Sequence, residues 1–127
     1  MGHNVAAMAD IEKFAARYTA VWNEPDAAAR RAIIAELWAP DGVEVLESAE
    51  HRGHQAMEAR VTGAYEKLVR DGGFVFEPED AVWHHDAVTF RVRMVPSGGG
   101  EVAWRGVVFV QLDADDRITR DYQFALA

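Results

Sequence analysis

The sequence contains no cysteine, only 4 prolines in 127 residues, and more acidic than basic side chains. Without cysteine there is no disulfide, no thiol nucleophile and no thiolate metal site. No apolar run approaches the roughly 20 residues that a membrane span needs. The segment Met1 to Ala7 has neither the basic n-region nor the apolar h-region of a signal peptide, and Ala6 stands where a myristoylation signal needs Ser or Thr. A cytoplasmic chain with no membrane partner is expected. The 13 Lys and Arg stand against 21 Asp and Glu, a net charge of −8, which repels phosphate backbones and argues against nucleic acid as a partner. No Gly-rich phosphate loop follows a strand, and no Gly-x-Ser-x-Gly elbow occurs. What remains is an ordinary globular composition, 50% hydrophobic and 27% charged. Its length suits one domain over residues 1–127, with an ordered core over about 9–126.

The first part of the chain carries helical periodicity. Ile11, Phe14, Ala15, Tyr18, Val21 and Trp22 recur at three- and four-residue spacing, opposite Glu12, Lys13 and Arg17. Asn23-Glu24-Pro25-Asp26 ends this helix and caps a second, which runs through Ile33, Ile34, Leu37 and Trp38 until Ala39-Pro40-Asp41-Gly42 stops it. A short strand from Val43 to Glu47 follows. A third helix begins near Gly53-His54 and presents Met57, Val61, Ala64, Tyr65 and Leu68 on one face before Gly72-Gly73. The rest is extended. One segment runs from Phe74 to His84, and a second alternates with Val88, Phe90, Val92 and Met94 on one side and Thr89, Arg91 and Arg93 on the other. Strands over Val102 to Leu112 and Arg117 to Leu126 complete an antiparallel meander joined by short turns. Helices followed by a sheet indicate an α+β domain.

Two stretches, Arg17-Tyr18-Thr19-Ala20-Val21-Trp22-Asn23-Glu24-Pro25-Asp26 and Leu37-Trp38-Ala39-Pro40-Asp41-Gly42-Val43, resemble the SnoaL-like branch of the nuclear transport factor 2 superfamily. His51-Arg52-Gly53-His54 and Asp115-Asp116-Arg117-Ile118-Thr119-Arg120-Asp121-Tyr122 fit the same pattern. The resemblance implies a cone-shaped barrel of three helices packed on a strongly curved, mainly antiparallel sheet around a pocket. It also implies a homodimer through the outer sheet face. The superfamily includes polyketide cyclases, ketosteroid isomerases, dehydratases, epoxide hydrolases and non-catalytic domains, so it specifies fold more closely than function. Tyr18 matches the oxyanion-binding tyrosine of ketosteroid isomerases. Their general base falls at Leu46 and their second acid near Val108, so two of three catalytic groups are missing and that activity is not expected. The epoxide-hydrolase pattern needs an inward arginine, whereas alternation turns Arg91 and Arg93 outward.

Asp121 is the leading catalytic candidate. The resemblance turns it inward, while periodicity alone prefers Ile118, Tyr122 and Phe124 on the inner face. An inward carboxyl among apolar residues would have its pKa raised toward values useful for proton transfer. Tyr18 could bind a ligand oxygen or hydrogen-bond Asp121. Gln123 could orient a carbonyl or pair with backbone. Glu44 could be a second, ionised carboxylate or a surface residue at a strand edge. The expected pocket wall comprises Trp22, Trp38, Tyr65, Phe90, Val92, Trp104, Val108 and Val110, suited to a small hydrophobic molecule. His84-His85-Asp86 and the pair His51 and His54 lack ligand spacing, because adjacent strand residues point to opposite faces. No metal and no cofactor is expected. The outward face, with Arg91, Arg93, Arg105, Val107, Phe109 and Gln111, suits a homodimer interface. The expected activity is cofactor-independent general acid/base chemistry of isomerase, cyclase or dehydratase type on a hydrophobic carbonyl compound. The alternative is a non-catalytic ligand-binding or dimerisation domain.

Overall fold

The structure, a computed structural model, describes residues 7–126; the reading of Met1 to Ala6 lies outside them. Helix α1 (Ala7–Asn23) buries Ile11, Ala15, Tyr18, Val21 and Trp22, the apolar stripe of the sequence. Its last residue, Asn23, pairs with Phe76 as a strand neighbour would: its Nδ2 donates to the Phe76 carbonyl at 2.8 Å, and the Phe76 N–H donates to its Oδ1 at 2.9 Å. Helix α2 (Ala27–Leu37) starts at Asp26, whose side chain accepts from the Ala28 N–H at 3.3 Å.

Strand β1 (Trp38–Val45) begins directly at the end of α2, so the helix stops before Trp38 and not at Pro40. Trp38 is already extended, at φ −101° and ψ 138°. Pro40, Asp41 and Gly42 lie in an irregular stretch of β1 between its pairing of Trp38 with Ile118 and of Val43 with Arg120. Proline is tolerated there because no ladder hydrogen bond is asked of it. Gly42 is required there, since a Cβ would collide with the Ile118 carbonyl oxygen. Strand β2 (Glu50–Arg52) was not legible in the sequence; its three residues are polar and carry no alternation. Helix α3 (His54–Ala64) starts after Gly53, which has φ 88°, and continues as a π-helical segment over Tyr65–Arg70.

Strands β3 (Phe74–His84), β4 (Ala87–Pro96), β5 (Trp104–Leu112) and β6 (Ile118–Ala125) form the antiparallel meander. The six strands lie in the order β2-β1-β6-β5-β4-β3, with β1 parallel to β6 and every other pair antiparallel. The sheet is therefore mixed and not closed, with β2 and β3 as edges, and it is mainly antiparallel in an α+β domain, as the resemblance implied. The helices cover one face, and the core between the layers includes Trp38, Phe90, Met57, Val61, Val110 and Ile118. No helix among the described residues is long and apolar enough to cross a membrane.

Candidate functional site

Asp121 is 0% exposed and sits inside, beneath the helices. Simple alternation fails because β6 carries one extra residue. Leu112 pairs with Ile118 but Gln111 pairs with Arg120, leaving Thr119 without an opposite number. The extra residue resets the phase, so Ile118 and Asp121 both face the core although three positions separate them. Tyr122 is only partly buried, and Phe124 is 56% exposed on the other face.

Three of the candidate polar residues form one chain of hydrogen bonds. The Tyr18 hydroxyl donates to Asp121 Oδ2 at 2.7 Å and accepts from Gln123 Nε2 at 2.6 Å. Of the two alternatives for Tyr18, the one with Asp121 as its partner is realised in the structure. Asp121 Oδ1 is buried with no hydrogen-bond partner among the described residues. Burial pushes the Asp121 carboxyl well above the usual carboxylate range, and the nearby Glu44 adds to this; the Tyr18 hydrogen bond and Arg60 oppose it. The Tyr18 phenol is likewise raised well above its ordinary value, mainly by burial and then by the charges of Asp121 and Glu44.

Glu44 is also 0% exposed, not a surface residue. It lies opposite Asp121 in the parallel pairing of β1 with β6. Its Oε1 accepts from Arg60 Nε at 3.0 Å and lies 3.1 Å from His51 Nδ1, while Oε2 has no partner among the described residues. The two carboxyl groups thus have different surroundings: Glu44 is ion-paired, whereas among the described residues the hydrogen-bond partner of Asp121 is a neutral phenol.

Next to this chain lies a cavity of about 260 Å³ between α1, α3 with its π-helical extension, and strands β3 to β6. Its wall includes Trp22, Phe76, Leu68, Val92, Met94, Trp104 and Val108, and its polar members are Tyr18, Thr19, Arg60 and Gln123. The Thr19 hydroxyl is engaged with the Ala15 and Ala16 carbonyls at 3.1 and 3.0 Å. Gly106 belongs to the wall, and Trp104 lies so close to it that a Cβ there would overlap the indole.

The cavity is smaller than the wall expected from the sequence. Trp22, Val92, Trp104 and Val108 border it, but Trp38, Tyr65, Phe90 and Val110 do not. Trp38 and Phe90 lie behind Tyr18, with ring centroids 5.5 and 5.2 Å from it. Val110 is fully buried between the layers, and Tyr65 carries the Arg30 guanidinium over its ring at 4.9 Å. Asp121 and Glu44 do not border the cavity either; Tyr18 and Gln123 stand between Asp121 and the hollow.

Arg60 was missed by sequence reading. It falls three residues after Met57 and four before Ala64, both on the buried face of α3. That spacing was the available signal, and its charge masked it in a search for apolar stripes. Among the described residues no three His, Asp or Glu side chains converge on a point; His84 and His85 are exposed, with their Nδ1 atoms 3.3 Å apart.

The SnoaL-like domain family matches residues 15–121 of the chain. No curated protein matches it. Among solved structures, an inferred isomerase of the SnoaL-like family from Agrobacterium tumefaciens superposes with a TM-score of 0.83 at 24% identity, over 94% of this chain and 100% of that one. An inferred polyketide cyclase from Sinorhizobium meliloti gives 0.66 at 21% identity, over 91% and 96%. An NTF2-like protein of unknown function from Mesorhizobium loti gives 0.68 at 21%, over 98% of each chain. At these identities the likeness is one of fold.

Proposed function

The chain belongs to the SnoaL-like domain family, and from that premise we propose that it is a small-molecule enzyme using general acid/base chemistry, without a cofactor, on a hydrophobic carbonyl compound held in the cavity. The observation that carries this reading is the buried chain from Asp121 through Tyr18 to Gln123, whose last two members border a mainly apolar hollow.

A phenol has one O–H to donate and two lone pairs to accept with. With Asp121 ionised, the Tyr18 O–H is spent on the carboxylate. With Asp121 protonated, the carboxylic acid donates to the phenol oxygen and Gln123 continues to do so. The Tyr18 hydrogen is then released toward a ligand oxygen. A neutral donor backed by two others in an apolar site stabilises charge developing on a carbonyl oxygen. Tyr18 is in this reading the group that touches substrate, and Asp121 acts through it as a positioning residue and proton store. Glu44, held by Arg60 and His51, disfavours a second negative charge at Asp121. The Agrobacterium and Sinorhizobium neighbours, described as an isomerase and a polyketide cyclase, are consistent with carbonyl chemistry of this kind.

One observation favours a second reading, a non-catalytic binding domain: neither buried carboxylate reaches the cavity wall. The variant Asp121→Asn separates the two. Assayed on a panel of aromatic and polycyclic ketones, it should keep binding and lose turnover. Unchanged binding and turnover would remove Asp121 from any role, and a wild-type protein that binds the panel without converting any member supports the binding domain.

We further propose that the chain forms a homodimer through the outer face of the sheet. Phe109 and Tyr122 pair across β5 and β6 there, with ring centroids 6.2 Å apart, beside the exposed Phe124.

A further inference from the structure

The cavity has one cationic member, Arg60. Its guanidinium is fixed on two sides: Nε donates to the fully buried Glu44 at 3.0 Å, and the group lies over the Trp22 ring at 5.0 Å. The side chain is 26% exposed. A guanidinium has five N–H donors, and the Glu44 contact uses the one on Nε. Neither terminal nitrogen has a hydrogen-bond partner among the described residues. If Arg60 were only the counter-ion of Glu44, nothing would require it to border the hollow, because a residue packed wholly behind the wall could serve as well. Arg60 instead borders the hollow while its Nε is held by Glu44 and its Cζ lies 5.0 Å from the Trp22 ring, so its terminal nitrogens are the donors it has left to offer a ligand there. A planar fork held in place this way matches the geometry of a carboxylate, which it can bind through two parallel hydrogen bonds.

We propose that Arg60 is a specificity-determining residue and that the ligand of this cavity is an amphipathic carboxylic acid, its apolar body against Trp22, Trp104 and Phe76 and its carboxylate on the Arg60 terminal nitrogens. This deepens the acid/base reading above and rests on the same cavity. Tyr18 and Gln123 supply neutral donors for a carbonyl, and Arg60 supplies the charge for a second, anionic group. The substrate class thereby narrows from hydrophobic carbonyl compounds to those that also carry an acid.

The test is calorimetric binding of two probes of similar shape, 2-naphthoate and its neutral counterpart 2-acetylnaphthalene, to the full chain at neutral pH. Wild type should bind the acid about ten-fold or more tightly than the ketone, the usual gain for a charge-assisted pair, and the preference should fall with added salt. Arg60→Gln alone leaves Glu44 buried without its cation and is at risk of unfolding, so Glu44→Gln/Arg60→Gln is the informative variant. Checked for folding by circular dichroism, it should bring the acid-to-ketone ratio close to one. Equal affinities in wild type, or a preference that survives in the folded double variant, overturn the assignment of Arg60 while leaving the cavity reading intact. Failure of both probes to bind wild type overturns this inference and the cavity reading together.

Discussion

The central contact, Tyr18 to Asp121, joins residues 103 positions apart in the chain. Replacing Tyr18 by Phe removes the donor to Asp121 and the acceptor of Gln123 while keeping the ring among Trp22, Trp38 and Phe90. If Tyr18 holds the developing charge, turnover should fall by about 10² or more, with probe binding largely kept. Urea denaturation at neutral pH should show a loss of about 1–3 kcal/mol, because Asp121 keeps its desolvation cost without its partner. A variant as active as wild type would exclude Tyr18 from the chemistry. Asp121 itself makes a prediction of defined sign. Its carboxyl is raised in the folded state by burial and by Glu44, so the native protein holds that proton more tightly than the unfolded chain. The contribution to stability is fully present below the ordinary carboxylate pKa and is lost as pH rises through the native value. Asp121→Asn cannot ionise and escapes that loss. Its thermal midpoint should therefore gain on wild type by a few degrees between about pH 4 and pH 8; a difference independent of pH would show that the carboxyl ionises without cost. At this scale the sequence named Tyr18, Asp121, Gln123 and Glu44 as candidates but left their facing open. Alternation measures hydrophobicity, and a buried acid is an error to it until its partner, here a phenol from a distant helix, is known.

Bulges decide which side chains the elements deliver to the interior. Alternation in β4 and β5 could be read directly, and Val88, Phe90, Val92, Val108 and Val110 are inside as the pattern requires. In β3 the pairing of Glu79 with Arg91 is followed by Val82 with Thr89, one residue out of step, at the positive-φ Asp80. Phe76 before the shift and Ala81 and Trp83 after it all pack on the core, while Val82 is 60% exposed. The shift at Thr119 does the same for Ile118 and Asp121. An unpaired residue costs the sheet one ladder position and leaves no compositional trace, which is why these shifts were illegible. The β1 start failed for a related reason, because Pro40 reads as a helix stop although the chain had already turned extended at Trp38. Gly106 is a point where backbone shape sets the site. Gly106→Ala places a methyl group where the Trp104 indole lies, so the ring must swing and the cavity wall with it. The expected results are a changed near-ultraviolet circular dichroism signal, weaker binding of 2-acetylnaphthalene and a loss of about 1–3 kcal/mol. An unaltered spectrum and affinity would show that Trp104 is free to move and does not shape the hollow.

At the scale of the whole molecule, the switch from helices to the strands that follow Gly73 could be read from the change of period, and the meander from its short turns. The parallel seat of β1 beside β6 could not, because it joins strands from opposite ends of the chain and no local pattern encodes it. That seat brings Glu44 opposite Asp121, so the electrostatics of the site are a product of topology. The reverse face of the same sheet carries the dimer proposal. A dimer of ordinary size hides about 800 Å² per partner, a modest share of the 7209 Å² that this chain exposes. Arg93 bonds Glu77 at 2.8 Å, and Arg93 and Arg105 lie 3.4 and 3.5 Å from Glu79. Two of the face's arginines are thus neutralised within their own chain, and like charges need not repel across a two-fold axis. Association would then rest on Phe109, Tyr122 and Phe124, and should respond little to salt between about 0.05 and 0.5 M. Light scattering at micromolar concentration should give about twice the 14.1 kDa chain mass. Phe124→Glu, at a position already 56% exposed, should give the single-chain mass with an unchanged circular dichroism spectrum. A monomeric wild type retires the dimer, and a Phe124→Glu protein that stays dimeric moves the interface elsewhere, in either case without touching the interior site, which one chain builds alone.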